Sequence, residues 1–336
     1  MEKTAQIQKV AVLLATFNGE KYIAQQLDSL LAQEFKDFDL YISDDGSNDR
    51  TAAILSSYSE RFRGRMHILE RREQTPPHCA STTNAACANF LYLLEKVQSD
   101  LYLFCDQDDF WLENHIRLLV EKYHSLSENE KRLPVLVYTD LSIADSELNI
   151  MHHSDSAYMK RKEQDKHSYF FSTGIRGCAC MVNDELKKIA FQNKELLHQN
   201  MGKIEMHDIF VTLIASFFGN IYFINVPTLL YRQHGTNTSG GIGKKRTLKE
   251  MLRKGISLSR YKKSYKTLRK DFIQRQVYAE FFLTYFENTI PEKERKIMRT
   301  FISISERNKF FRLFFLMKNR FLKKGFINNI WLFIVA

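Results

Sequence analysis

Proline is scarce in this chain, 5 residues of 336, and glycine numbers 13. That scarcity excludes collagen-like, proline-rich and glycine-rich low-complexity chains. The 5 cysteines are Cys79, Cys87, Cys105, Cys178 and Cys180, an odd number without the paired C-x-x-C spacing of zinc ribbons or redox motifs. They read as reduced, small core residues. No uncharged run reaches the roughly 18 residues needed to span a bilayer. The apolar run Val10 to Ala15 is too short for a signal-peptide core and is followed by Asn18, Glu20 and Lys21, so the expected location is the cytosol. Missing too is a glycine-rich phosphate loop near the first strand, which counts against a nucleotidyltransferase that activates sugars.

What is present is the composition of a folded globular protein, with 44% hydrophobic and 26% charged residues. The net charge of +10 divides unevenly. Residues 241–336 hold 24 Lys and Arg against 7 Asp and Glu, a net of +17, whereas residues 1–240 hold 25 against 32, a net of −7. A basic tail suits nucleic acid, an anionic membrane surface or a solvated helix face, and its sign alone does not choose among them.

Residues 1–240 alternate short β-rich runs with helical stretches, the pattern of an α/β layer structure. The candidate strands are Val10–Ala15, Asp39–Ser43, Met66–Leu69, Leu101–Cys105, Val135–Thr139, Ala179–Val182 and Ile221–Val226. A glycine-rich connection at Thr236–Lys245 separates this part from a helical tail, in which Pro291 marks a turn between helices. The segment Lys309–Ala336 packs phenylalanines among lysines and arginines and reads as an amphipathic helix lying in the headgroup plane of an anionic leaflet. Docking on the rest of the chain or on a second copy, giving a homo-oligomer, is the alternative use of such a helix.

Four segments could carry chemistry. The strand Asp39–Ser43 runs into Asp44-Asp45-Gly46-Ser47-Asn48-Asp49, ahead of a helix expected near Arg50. Gly46 suits the turn and Ser47 or Asn48 a helix cap, which leaves two carboxylates at a strand's carboxyl end, where open α/β sheets bind ligands. An acid there can accept a hydrogen bond from a uracil or thymine N3–H. The strand Leu101–Cys105 ends in Asp106-Gln107-Asp108-Asp109, before a helix expected to begin near Phe110-Trp111. Hard oxygen ligands at this D-x-D spacing suit Mg²⁺ or Mn²⁺ bridging to phosphate oxygens; the plain alternative has Asp109 capping the helix. Asp208 stands before the apolar helical run Ile209–Phe218, as a cap or as a general base. In Tyr231-Arg232-Gln233-His234-Gly235, His234 is either a loop histidine or part of a metal shell, with Arg232 against phosphate.

Taken with the opening run Val10-Ala11-Val12-Leu13-Leu14-Ala15-Thr16-Phe17-Asn18-Gly19, these segments and their order resemble the family 2 inverting glycosyltransferases of GT-A fold, over about residues 8–240. The wording Cys105-Asp106-Gln107-Asp108-Asp109-Phe110-Trp111, together with His207-Asp208 and Tyr231–Gly235, is similar to bacterial rhamnosyltransferases of cell-surface polysaccharide synthesis. The resemblance implies a Rossmann-like mixed sheet flanked by helices over residues 1–240, with the basic helical tail following at 241–336. It implies a nucleotide-binding set of Thr16, Asn18, Asp44, Asp45, Asp106 and Arg232. Metal ligands would be Asp106, Asp108 and His234 around Mg²⁺ or Mn²⁺, and Asp208 the catalytic base. His207 departs from the acidic residue many relatives carry before the base.

The implied reaction moves rhamnose from a dTDP donor, or a hexose from UDP, to a hydroxyl of a glycan or polyprenyl-linked acceptor. The chain would work in the cytoplasm, peripheral on the inner face of the cell membrane. A nucleic-acid-binding protein would use the tail's Lys, Arg and Tyr but would leave Asp106, Asp108 and Asp208 without a purpose, so no nucleic-acid partner is expected.

Overall fold

The computed structural model describes residues 8–70, 82–158, 165–171, 174–234, 258–323 and 326–336. The connection expected at Thr236–Lys245, with Gly235 and Cys79, lies outside the described residues. Two compact units are present: Met1–Glu163 with Gly174–Ser239, and Gln164–Thr173 with Gly240–Ala336.

The first unit is built on a nine-stranded sheet. Its strands are β1 (Val10–Thr16), β2 (Phe38–Asp44), β3 (Met66–Ile68), β4 (Leu101–Asp106), β5 (Phe110–Trp111), β6 (Val135–Ala144), β7 (Ile150–His152), β8 (Cys180–Asn183) and β9 (Asn220–Arg232). They run in the order β3-β2-β1-β4-β8-β6-β9-β5, with β7 on β6. β3, β2, β1 and β4 are mutually parallel, β8 is antiparallel to both β4 and β6, and β9 is parallel to β6. A strand antiparallel to both neighbours leaves those neighbours parallel to each other. The carboxyl ends of β2, β1, β4, β6 and β9 therefore lie along one edge of the sheet. This mixed α/β sheet is the architecture the resemblance implied.

The central strands are almost continuous apolar runs, Val10–Leu14 and Leu101–Cys105, because helices cover both faces and neither side meets water. That double burial made them legible as short β-rich runs. Seven expected strands are present, several of them longer than expected. β9 continues through Pro227 to Arg232, and its register against β6 shifts there, from Thr139↔Ile224 to Asp140↔Pro227. Proline has no N–H to give to a ladder, so the strand accommodates it with an irregularity.

The helix expected near Phe110-Trp111 is not there. Those residues form β5, paired with Leu230 and Leu229, and the helix starts at His115. Nor does Ser47 or Asn48 cap the helix Thr51–Tyr58; Asp49 Oδ1 accepts from the Thr51 N–H at 2.9 Å instead. Gly46 takes φ +82 in the turn after β2, a left-handed conformation that a side chain would strain.

The second unit is helical. Leu258–Tyr285 and Glu292–Ile302 are joined through Pro291, which occupies the N-cap position of the latter. Its core is aromatic: Phe170, Phe272, Phe282, Phe301 and Phe321 are buried together, with the rings of Phe301 and Phe321 stacked at 4.2 Å. The stretch expected as one amphipathic helix from Lys309 is two, Lys309–Lys318 and Phe326–Val335. The first ends at Asn319, and Arg320 beyond it adopts φ +58, a left-handed turn that no continuing helix allows. No helix among the described residues is long and apolar enough to cross a membrane.

Candidate active site

Pairing across the sheet places the opening run, the Asp44 segment and the Asp106 segment side by side. Thr16 stands opposite Asp44, and Ala15 opposite Asp106. Strand spacing then sets Asp44 and Asp106 roughly 10 Å apart on either side of β1. Arg176–Cys178, which precede the oppositely running β8, and the start of the helix His207–Phe218, which returns to β9, come to the same edge.

On the β2 side the polar groups tie two loops together. Thr16 Oγ1 donates to Asp44 Oδ1 at 2.7 Å, and Asp44 also accepts from the Ser47 N–H at 2.8 Å and Ser47 Oγ at 2.6 Å. Asn18, at φ +47, accepts from the Asn48 N–H at 2.9 Å, while its own N–H donates to Ser47 Oγ at 2.8 Å. Asp45, half-buried next to this network, donates its N–H to the Thr16 carbonyl at 2.9 Å. Gln107 joins this loop to the next one: it accepts from the Phe17 N–H and donates to the Phe17 carbonyl, both at 2.9 Å. The D-x-D spacing had left Gln107 as a mere spacer.

At the end of β4 the three carboxylates differ in their contacts. Asp109 is fully buried and accepts from the Arg232 N–H at 3.0 Å, so it braces β9 and does not cap a helix. Asp108 faces His234, with Oδ2 at 2.7 Å from Nε2. Asp106 is partly accessible, and burial, then the neighbouring charges of Asp108 and Asp208, push its carboxyl up to about 7. Burial first, then Asp108 and Asp106, pushes the Asp109 carboxyl well above the ordinary range. Acid oxygens of Asp106 and Asp109 and the Cys178 sulfur lie within 4.8 Å of one another. One carboxylate oxygen of Asp109 is buried without a hydrogen-bond partner. Such crowding of like charge is what a divalent cation relieves, and the hard carboxylates suit Mg²⁺ or Mn²⁺ better than the thiol does.

Asp208 lies in the first turn of the helix His207–Phe218, not at its cap, which is Met206. Its Oδ1 accepts from the Ile209 N–H at 2.7 Å. Burial raises its carboxyl to about 6, against the lowering effects of the Ile209 N–H, the Arg176 charge and the Gly177 N–H. His207, the departure from the family pattern, points inward against Phe90 and Phe104, and burial lowers its imidazole to about 3. A Cβ on Gly177 would collide with that ring, so a glycine is needed where this loop crosses it.

Arg176 was invisible to motif reading. Its guanidinium lies 4.4 Å over the Tyr231 ring and 3.7 Å from Asp155, and its charge acts on both Asp106 and Asp208. Arg232, expected to meet phosphate, is 1% exposed. It donates to the carbonyls of Asp108 and Ser146 and to Gln25 Oε1, and lies over the Tyr22 ring at 4.4 Å. Replacing it by Ala is expected to cost about 3 kcal/mol of stability, because two partly buried carbonyls lose their donor and a large buried side chain leaves a cavity. A urea denaturation midpoint measures this. A phosphate-binding role would instead raise donor KM at unchanged stability.

A sheet whose loops gather along its carboxyl edge, where open α/β sheets bind ligands, and which holds buried acids there beside a crowded acidic cluster, has the frame of a group-transfer enzyme. The sequence profile of Glycosyl transferase family 2 matches residues 11–183, and the chain belongs to that family. It is 27% identical over 237 residues to the dTDP-rhamnosyl transferase RfbG of Shigella flexneri, covering 68% of this chain and 73% of that one. An uncharacterized glycosyltransferase of Rickettsia typhi is 20% identical over 233 residues, 68% of this chain and 65% of its own length. Among solved structures, Staphylococcus aureus TarS 1–349 in complex with UDP-GlcNAc aligns with a TM-score of 0.48 at 15% identity, over 93% of this chain and 88% of that one. The mannosyltransferase PcManGT from Pyrobaculum calidifontis, in complex with GDP-Man and Mn²⁺, aligns with a TM-score of 0.49 at 12% identity, over 94% and 74%.

Proposed function

We propose that this chain transfers a sugar, rhamnose from dTDP-rhamnose as the first donor to test, to a hydroxyl of a growing cell-surface glycan or its polyprenyl-linked precursor, with inversion at the anomeric carbon. The RfbG relative supports the donor. The single observation that carries the chemistry is that Asp208, in the first turn of its helix, and the cluster of Asp106, Asp109 and Cys178 meet at the sheet's carboxyl edge, near enough for the Asp208 charge to help raise the Asp106 carboxyl.

Asp208 is ionised at neutral pH yet basic enough to take a proton from the acceptor hydroxyl as that oxygen attacks. Arg176 holds positive charge beside both acids and keeps Asp208 in its anionic form. On the β2 side, Asp45 would receive the base, over the loop that Thr16, Asn18 and Asp44 hold in shape. Asp106, Asp108 and His234 would hold a Mg²⁺ or Mn²⁺ ion, although among the described residues the ligand atoms that already lie together are those of Asp106, Asp109 and Cys178. When bound, such an ion neutralises charge on a departing diphosphate. Gln107 ties the loop of residues 16–18 to the acidic loop through both polar groups of Phe17, so the two halves of a donor would meet adjoining loops.

The test is transfer by the purified chain across a panel of nucleoside diphosphate sugars, with and without EDTA, and with the anomeric configuration of the product read by NMR. Turnover of one donor, lost with EDTA and restored by Mn²⁺, with an inverted product, is expected. A retained configuration would remove the single-displacement mechanism.

A further inference from the structure

In the helix Lys309–Lys318, Phe310, Leu313, Phe314 and Met317 recur at i, i+3, i+4 and i+7 and so share one side. That side faces water: Phe310 is 87% exposed, Phe314 62%, Met317 54% and Leu313 38%. The other side is apolar as well, with Phe315 and Leu316 buried and Phe315 packed against Phe321. One apolar stripe suffices to seat a helix on its own unit. A second, facing outward and rich in phenylalanine, marks an interaction surface.

The surrounding charge identifies the partner. From Arg307 to Ala336 the sequence carries seven Lys or Arg and no Asp or Glu. Arg312 is engaged, donating to the carbonyls of Ser305, Arg307 and Ala336. The exposed cations at the stripe are placed differently: Arg307 lies 5.8 Å over the Phe311 ring and Lys318 5.6 Å over the Phe314 ring. Each lays its charge along an aromatic ring at the flank of the stripe, as side chains do where an apolar medium meets a layer of phosphates. The same stripe on a second copy would bring cation against cation. A surface that is apolar in depth and anionic at its rim is the match, and that is a membrane leaflet containing acidic lipids.

We propose that the helix Lys309–Lys318 docks this chain on an anionic membrane surface, with Phe310, Phe314 and Met317 in the acyl boundary and Arg307, Lys309 and Lys318 among the headgroup phosphates. The proposal concerns this face alone and stands whatever the donor and acceptor prove to be.

The test is co-sedimentation of the full chain with vesicles of phosphatidylcholine containing about 30% phosphatidylglycerol, and with phosphatidylcholine alone. Binding to the mixed vesicles, weakened by salt and absent with phosphatidylcholine alone, is expected. The double variants Phe310→Ser/Phe314→Ser and Lys309→Gln/Lys318→Gln should each lower the partition coefficient by about tenfold or more. Their circular dichroism melts should match the parent's, since both pairs are exposed. If either pair fails to fold, the other still decides the matter. No binding to the mixed vesicles, or binding unchanged in a folded variant, overturns the proposal. So does a dimer, seen by light scattering, that dissociates in Phe310→Ser/Phe314→Ser while vesicles are ignored, since a second copy then covers the stripe.

Discussion

Asp208→Asn is expected to lower kcat by about 10²–10⁴-fold, the range lost when a positioned general base is removed, while donor KM stays within about threefold. Asn preserves the shape and can still accept from the Ile209 N–H, but it cannot take a proton. The pH profile is the second readout. With Asp208 as the base, only the ionised form acts, so kcat/KM is expected to fall about tenfold per pH unit below the pKa of Asp208. Burial sets that pKa at about 6, and a cation held at the neighbouring Asp106 can only lower it. The Asn variant should lose this limb of the profile. If the variant instead keeps kcat and weakens donor binding, Asp208 belongs to recognition and the base must be sought elsewhere on the same edge.

Asp106→Asn should abolish transfer and yet stabilise the metal-free protein at alkaline pH. Burial and the charges of Asp108 and Asp208 raise the folded-state pKa of Asp106 from 3.8 to about 7. A carboxyl raised in this way contributes stability that is fully present below its unfolded pKa and is lost as pH climbs through about 7. The full shift corresponds to about 4 kcal/mol at most. Because this acid is only partly enclosed and shares its titration with its neighbours, about 2 kcal/mol is the expected gain at pH 8, or roughly 3–6 °C in Tm. The gain should vanish near pH 4, where the parent carboxyl is itself neutral. Mn²⁺ should raise the Tm of the parent at pH 8 and leave the variant almost unmoved. Thermal melts at the two pH values, with EDTA or Mn²⁺, measure all of this; a variant less stable at both pH values would mean that Asp106 is a structural acid.

Much of the sheet was legible because of how it is buried. β1 and β4 carry apolar runs of strand length, since a strand covered on both faces has few polar positions, while β2 puts partly accessible Asp39 and Tyr41 between buried Phe38, Leu40 and Ile42. β5 was misread for the complementary reason. Phe110-Trp111 is too short to have a period, and only its pairing with Leu229 and Leu230, more than a hundred residues away, makes it a strand. The extension of β9 past Pro227 was equally hidden, because proline reads locally as a stop and only the register shift against β6 accommodates it. Arg176 and Cys178 carried no motif, and Gln107 stood inside one without a role of its own. Their places depend on an antiparallel strand, β8, inserted between parallel ones, and on a loop-to-loop clasp.

By itself, the sequence determined the α/β class, the order of the acidic segments, their positions at strand ends and the opposite charge of the two parts of the chain. Those properties are written in runs of neighbouring residues, where burial imposes a period and charge simply accumulates. Only the tertiary structure decided which way each side chain of Asp106, Asp108 and Asp109 turns, that Arg232 is sealed inside, and which side of the helix Lys309–Lys318 meets water. Those are matters of direction, and a side chain's direction is set by the partner across the sheet or beneath the helix, however far away in sequence that partner lies.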